Sequence, residues 1–134
     1  MSAAALRPPA GPVRAVLYVC AVRSPGWSLA ELRAKAEREG LALVAQHGYH
    51  LVATVSDPCG KDGPPVPQLR VGWLRVRRMV EGGEVDIVIA RWPDVLSPDH
   101  EVRYQEVDYL RRHDCRMRYS YAPAMASTGG GATR

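Results

Sequence analysis

The fold is decided by the stretch RAVLYVCAV, which runs from Arg14 to Val22. Every residue after Arg14 in this stretch is apolar or aromatic. A short, continuous apolar run of this kind is typical of a strand that is buried on both faces, as in the parallel sheets of α/β proteins. With Val13 included, the pattern predicts a buried first strand over residues 13–22.

A helix is predicted to follow this strand, from Ser28 to about Gln46. Ser28 is a favourable N-cap, and Glu31 stands three residues later, at the second position of a capping box. Gly40 is expected to weaken the helix, because glycine is a poor helix former. Gly48 is expected to end it.

A second strand and helix are predicted next. The β-rich run 50–56 indicates the strand, and the Pro- and Gly-rich residues 57–66 indicate a mobile surface loop. Pro67 suits the first turn of a helix, which the pair Gly82-Gly83 is expected to stop.

A third strand is predicted over residues 85–90, followed by a helix over about 98–113 and a last, edge strand over 115–121. The inner face of that helix is predicted to carry Tyr104, Val107 and Leu110. Strands that alternate with helices in this way favour a parallel sheet with helices on both faces. We therefore expect an α/β fold with three layers and a four- to five-stranded, mostly parallel sheet.

The chain of 134 residues fits a single domain. Residues 1–12 and the Gly-rich residues 122–134 are predicted to be disordered, because neither end can bury much apolar surface. Residues 13–121 then form the α/β domain. No apolar run is long enough to span a membrane and no secretion signal is evident, so a cytoplasmic location is expected.

The sequence predicts no metal, no cofactor and no small-molecule substrate. The three cysteines, Cys20, Cys59 and Cys115, are odd in number and lack C-x-x-C spacing, which predicts reduced thiols rather than a disulfide or a zinc site. The four histidines also lack metal-ligand spacing. No glycine-rich phosphate-binding motif is present.

The net charge of +4 is mildly basic, and a dense group of arginines lies on the predicted second helix. This group could contact phosphate or an acidic partner, or it could be an ordinary solvated helical face. Its members are Arg70, Arg75, Arg77 and Arg78. A second basic group is formed by Arg111, Arg112, Arg116 and Arg118.

Four stretches, taken in order, carry a resemblance to a known family. They are RAVLYVCAV at 14–22, SLAEL at 28–32, GYHLVATVSD at 48–57 and EGGEVDIVIA at 81–90. They resemble the strings R-A-V-x-Y-x-R-x-S, S-L-E-A-Q, G-W-E-V-V-A-E-F-V-D and R-A-G-K-I-D-V-V-V-V of the serine recombinase catalytic domain, the resolvase/invertase family. The resemblance covers about residues 13–121 and implies a resolvase-like fold.

The same resemblance places unsuitable residues at the family's catalytic positions. Val22 stands in place of the serine nucleophile, and Asp94 is retained from the D-R-L-S-R string. The positions of four arginines that act on the phosphate are filled by Cys20, Val66, Val95 and Pro98. Leu32 replaces the glutamine of S-L-E-A-Q, and the S-G of the flexible loop is at best Cys59-Gly60.

These losses predict a domain that does not cleave DNA, because attack on a phosphodiester needs a nucleophile and several cations around the transition state. The leading hypothesis is an inactive resolvase-like domain retained as a protein-interaction or regulatory module. The family uses this domain for dimer and tetramer contacts, so a homodimer or a protein partner is expected. The sequence shows no helix-turn-helix or zinc ribbon, so sequence-specific DNA recognition by this chain alone is not expected.

Four alternatives remain open at this point. Ser24 lies two residues beyond Val22, on the same face of an extended strand, and could serve as a shifted nucleophile. Cys20 could act as a thiolate if nearby cations lowered its pKa. The arginines of the second helix could give weak, non-specific DNA binding in an accessory role. An unrelated flavodoxin-like domain would show the same alternation of strands and helices.

Overall fold

The computed structural model describes residues 11–59, 64 and 66–121, and these form an α/β domain. Its four strands are β1 (Arg14–Val19), β2 (His50–Ser56), β3 (Ile87–Ala90) and β4 (Arg116–Tyr119). Its three α-helices are α1 (Leu29–His47), α2 (Val71–Glu81) and α3 (His100–Arg112). Two short 3₁₀ helices, Pro67–Leu69 and Pro93–Val95, precede α2 and follow β3.

The strands form one parallel sheet in the order β2-β1-β3-β4. The two central strands, β1 and β3, are the most apolar stretches of the chain, and nearly all of their residues are buried. The predicted three-layer α/β fold with a parallel sheet is therefore confirmed, with four strands in the described residues. β4 lies at an edge, as predicted.

The alternation of side chains along β1 builds two cores, one on each face of the sheet. Ala15, Leu17 and Val19 face α1. Val16 and Tyr18 face α2 and α3, where Trp73 packs edge-on against Tyr18 at a ring separation of 5.1 Å. A continuous apolar run was therefore required in this strand.

The first helix begins and ends where the sequence predicted. Ser28 Oγ accepts a hydrogen bond from Glu31 N–H, and Glu31 Oε1 accepts one from Ser28 N–H, which completes the capping box. Gly48 ends the helix in the left-handed conformation, with φ of 67°. Gly40 is buried against Leu17, and a Cβ at this position would overlap both δ-methyl groups of that side chain. The glycine is therefore needed for close packing of α1 on β1.

The structure corrects two sequence-based expectations, on the inner face of α3 and on the segment after β2. A third, on the ends of the chain, concerns residues outside the described ones. Tyr104 is 54% exposed, and the buried positions of α3 are Glu106 and Leu110. The segment after β2, predicted as a surface loop, begins with buried residues, Asp57 and Cys59. Residues 1–10 and 122–134, predicted to be disordered, lie outside the described residues, as does most of the predicted loop at 60–65.

Candidate functional site

The carboxyl ends of β1 and β3 open onto a cavity of about 340 Å³. Because parallel strands end at the same edge of the sheet, ligand sites of open α/β sheets form in this place. Its wall contains Cys20, Val22 and Ser24 from the end of β1, and Arg91, Asp94 and Val95 from the segment after β3. Five positions that the sequence singled out therefore lie around one cavity, namely Cys20, Val22, Ser24, Asp94 and Val95.

A disulfide joins Cys20 to Cys59 across this edge, with the two Cα atoms 5.5 Å apart. Both residues are buried, at 6% and 2% exposure. The expectation that all three cysteines are reduced is therefore wrong for this pair, and the proposed thiolate role of Cys20 is excluded while the bond is intact. Cys115 is a free, buried thiol, and burial raises its pKa to about 12.

Asp57, which directly follows β2, is hydrogen-bonded to Tyr18, one of the residues that line this cavity. Its Oδ2 accepts hydrogen bonds from Tyr18 Oη and Trp73 N–H, both at 2.7 Å, and its Oδ1 accepts one from Gly72 N–H at 2.8 Å. Arg70, the N-cap residue of α2, makes no side-chain cap, so Asp57 satisfies two of the otherwise unpaired amides at that helix end. Burial, followed by the bond to Asp57, raises the pKa of Tyr18 well above its usual range.

The position that the resemblance assigns to the nucleophile carries an exposed, apolar side chain. Val22 is 52% exposed and carries no group that could attack a phosphate. Ser24 is also exposed and lines the cavity, in the turn that Trp27 N–H closes on Ser24 C=O. Among the described residues, no side chain forms a hydrogen bond with the Ser24 hydroxyl, so no base or cation is in place to activate it.

The segment after β3 supplies one cation to the cavity wall, and that cation is already paired. Arg91 forms two hydrogen bonds with the Glu39 carboxylate, at 2.7 and 3.3 Å, and stacks on the rings of Trp92 and Tyr121. Asp94 is exposed and contacts Arg103 at 3.3 Å. Sequence analysis missed Arg91 and Glu39, although a basic residue directly after a central strand is a usable signal.

At two of the positions that the resemblance assigns to arginines, the side chain offers no charge and no hydrogen-bond donor. Val95 is buried in the core, and its carbonyl oxygen accepts a hydrogen bond from Arg70 Nη1 at 2.7 Å. Pro98 is exposed, and its carbonyl oxygen accepts one from Arg103. A third substituted position, Val66, is 39% exposed at the start of a 3₁₀ helix.

The four arginines expected to form one basic surface are separated by the structure. Arg70 is 4% exposed and donates to backbone carbonyls of Pro64 and Val95. Arg77 lies over the ring of Tyr109 and is 3.9 Å from the buried Glu106, which also accepts from Trp73 Nε1. Only Arg75 and Arg78 are exposed.

Within residues 11–59, 64 and 66–121, no group of three metal-ligating side chains is found. The helices of the same residues include none that is long and apolar enough to cross a membrane.

Comparison with solved structures shows the fold of serine recombinase catalytic domains. The C-terminal catalytic domain of ISC1926 TnpA, an IS607-like serine recombinase, matches with a TM-score of 0.69 and 19% identity over 84% of this chain and 70% of that one. The N-terminal catalytic domain of TP901-1 integrase matches with a TM-score of 0.64 and 18% sequence identity, over 85% of each chain. A resolvase family site-specific recombinase from Streptococcus pneumoniae matches with a TM-score of 0.64 and 13% sequence identity. The match covers 86% of this chain and 81% of that one.

No protein-family model and no curated protein matches the sequence. The resolvase-like fold that the four sequence stretches indicated is nevertheless confirmed. At these levels of identity the similarity establishes the fold, and the chemistry has to be argued from the side chains at the cavity.

Proposed function

We propose that this chain is a resolvase-fold domain that does not cleave DNA and that acts as a self-associating protein-interaction or regulatory module. The observation that carries this proposal is the disulfide between Cys20 and Cys59. The resemblance assigns these positions to a phosphate-binding arginine and to the serine of the flexible loop. Here they form a buried covalent crosslink, which leaves neither a cation nor a hydroxyl at these two positions.

The electrostatics of the cavity support the loss of cleavage. A pentavalent phosphorane-like transition state needs preorganised cations, and removal of one such donor typically slows a reaction by about 10²–10³. Arg91, the cavity's basic side chain, is neutralised by Glu39 at 2.7 Å. Arg70 is directed to backbone carbonyls. Neither guanidinium is available to hold a DNA phosphate in the cavity.

The competing hypothesis, an active recombinase that uses Ser24, is testable with a nicked duplex that carries a randomised segment. Such a substrate traps a covalent serine–DNA intermediate, because the cleaved strand diffuses away. We expect no adduct with the wild-type chain. An adduct that is present in wild type and absent in Ser24→Ala would replace the proposed function with recombinase activity.

Self-association is tested by multi-angle light scattering of the full chain over a range of concentrations. The proposal predicts a mass of at least two chains that falls on dilution. A strict monomer at every concentration, together with the absence of any bound protein, would contradict a role as an interaction module.

A further inference from the structure

A second groove, of about 440 Å³, runs between β2 and α2, and its lining residues are not among those named for the cavity described above. It is lined by Thr54, Val55, Ser56 and Asp57 on the strand side, and by Val71, Gly72, Arg75 and Arg78 on the helix side. Successive side chains of a strand point to opposite faces of its sheet. A groove that touches four consecutive residues must therefore follow the edge of the strand.

The backbone at this edge has unused hydrogen-bonding groups. β2 is the outermost strand of the sheet, beyond β1. Asp57 N–H donates to Val19 C=O, at 3.1 Å, so the alternation of the strand directs the N–H and C=O groups of Thr54 and Ser56 away from β1. Within the described chain, no hydrogen bond outside the sheet involves these groups. They form a short template for another strand.

Two exposed arginines lie beside this template. Arg75 and Arg78 are three residues apart on α2, so their side chains lie on the same face of the helix. Both are exposed, and neither forms an ion pair or a side-chain hydrogen bond with the described residues. Asp57, the acidic residue of the groove, is buried and already accepts bonds from Tyr18, Gly72 and Trp73.

We propose that the edge of β2 binds an extended, acidic segment of a partner protein, which adds to the sheet as a fifth strand and places carboxylates against Arg75 and Arg78. This inference rests on the proposed role as an interaction module and names the chemistry of its partner. Main-chain hydrogen bonds at the edge supply affinity, and the two arginines supply selectivity for acidic residues.

A second copy of this chain does not fit the same edge. Pairing β2 with β2 of a twofold-related copy would bring two pairs of arginines together, and like charges at such a junction are unfavourable. The self-association proposed above is therefore expected at another surface. The register between β1 and β2 also shifts at Val52, which leaves Ala53–Ser56 as the regular part of the edge and limits the bound segment to a short motif.

The test uses two fluorescein-labelled heptapeptides, one in which glutamate alternates with valine and one in which lysine replaces glutamate. Binding to the full chain is measured by fluorescence anisotropy. We expect the acidic peptide to bind and the lysine peptide not to bind. In the double variant Arg75→Ala/Arg78→Ala, the affinity for the acidic peptide should fall at least tenfold. The matched control is Arg33→Ala/Arg38→Ala on α1, on the opposite face of the sheet, which should bind as wild type does.

A second variant separates strand addition from simple charge attraction. Thr54→Pro removes an outward N–H and keeps the ladder to β1, because proline is tolerated on an edge strand where its nitrogen faces solvent. We expect the Thr54→Pro variant to bind the acidic peptide at least tenfold more weakly than wild type does. The Tm of the variant should be unchanged. Three results would overturn the inference: no binding of the acidic peptide, equal binding of both peptides, or binding that Thr54→Pro leaves unchanged.

Duplex DNA of random sequence serves as a third probe in the same assay. DNA binding that depends on Arg75 and Arg78, without binding of the acidic peptide, would assign the groove to phosphate and overturn the peptide inference. A failure here is distinguishable from a failure of the proposed function, which would show as a covalent DNA adduct or as a strict monomer without partners.

Discussion

The phenolic hydroxyl of Tyr18 donates a 2.7 Å hydrogen bond to Oδ2 of Asp57, and both groups are buried. The same carboxylate accepts from the backbone amides of Gly72 and Trp73. One side chain therefore joins the centre of the sheet to the first turn of α2 and substitutes for the missing side-chain cap of that helix.

Replacement of this carboxylate is expected to be costly. Asp57→Ala leaves a buried hydroxyl and two helix amides without partners, and each such group costs about 1–3 kcal/mol. We expect a loss of about 3 kcal/mol or more in the free energy of unfolding, measured by urea denaturation. Tyr18→Phe should cost about 1–2 kcal/mol, since it removes one bond and leaves Asp57 its two amide donors.

A matched control for Asp57 is Asp108→Ala, which removes an exposed ion pair with Arg112 on α3. Such pairs contribute about 0.3–0.5 kcal/mol. If Asp57→Ala proved as mild as Asp108→Ala, the interpretation of Asp57 as the link between β1 and α2 would be wrong.

The disulfide is expected to stabilise the domain by constraining the unfolded chain. Cys20 and Cys59 are 39 residues apart, and closure of a loop of this length corresponds to about 4 kcal/mol at 25 °C in the chain-entropy model. We expect dithiothreitol to lower the Tm of the wild-type chain and to leave the Tm of Cys20→Ala/Cys59→Ala unchanged.

Thiol titration provides the direct check on this pairing. The oxidised, unfolded chain should react with one equivalent of thiol reagent, from Cys115, and the reduced, unfolded chain with three. In the native state Cys115 should resist alkylation near neutral pH, because burial raises its pKa to about 12 and only the thiolate reacts. Three reactive thiols without reductant would contradict the crosslink.

Gly40→Ala tests the close contact between α1 and β1. At an exposed helical position, replacement of glycine by alanine raises the free energy of unfolding by about 1 kcal/mol. Here the added Cβ would overlap the Leu17 side chain, so we expect a net loss of about 1–3 kcal/mol in the free energy of unfolding. The control is Ala45→Gly, at an exposed position of the same helix. Its free energy of unfolding should fall by about 1 kcal/mol, because glycine has the lower helix propensity. A stabilised Gly40→Ala would refute the packing argument.

The capping box of α1 predicts a pH dependence. Hydrogen bonds from the backbone and side chain of Ser28 hold the pKa of Glu31 below its usual value of 4.5. A carboxylate with a depressed folded-state pKa stabilises the fold above the unfolded-state value, and this contribution is lost as the pH falls through the folded-state value. The difference in unfolding free energy between wild type and Glu31→Ala should therefore be present near neutral pH and disappear in acid. A pH-independent difference would contradict the carboxylate's role as a cap.

Much of the fold was predictable because it follows from local patterns. The apolar run at 14–22 contains the central strand β1, although the strand ends at Val19 rather than at Val22. Ser28 and Glu31 form the predicted cap, and β2 has the predicted bounds. The helix of 98–113 was located correctly. Val107 and Leu110 of its predicted inner face contact the core, whereas Tyr104 is exposed. Glu106 is buried there because Trp73 Nε1 and Gln68 Nε2 donate to it, and such a long-range pairing leaves no periodic signal in the sequence.

The crosslink at the candidate site was missed for a different reason. Counting cysteines and their spacing gives no sign of a pair 39 residues apart. The topology gives such a sign, because Cys20 and Cys59 follow adjacent parallel strands, whose carboxyl ends meet at one edge. Arg70 was assigned to an exposed basic surface because its sequence neighbours are arginines, whereas its position as N-cap of α2 directs it into the core.

The central claim, that the cavity does not cleave DNA, is tested most directly by trapping covalent intermediates in both redox states. Wild-type chain is incubated with a nicked duplex pool, with and without dithiothreitol, then denatured and analysed for protein linked to DNA. Reduction opens the Cys20–Cys59 bond, but Val22, Val95 and Pro98 still carry neither a nucleophile nor a cation. The account predicts no adduct in either state. A DNA adduct on Ser24, Cys20 or any other residue of the cavity would contradict it.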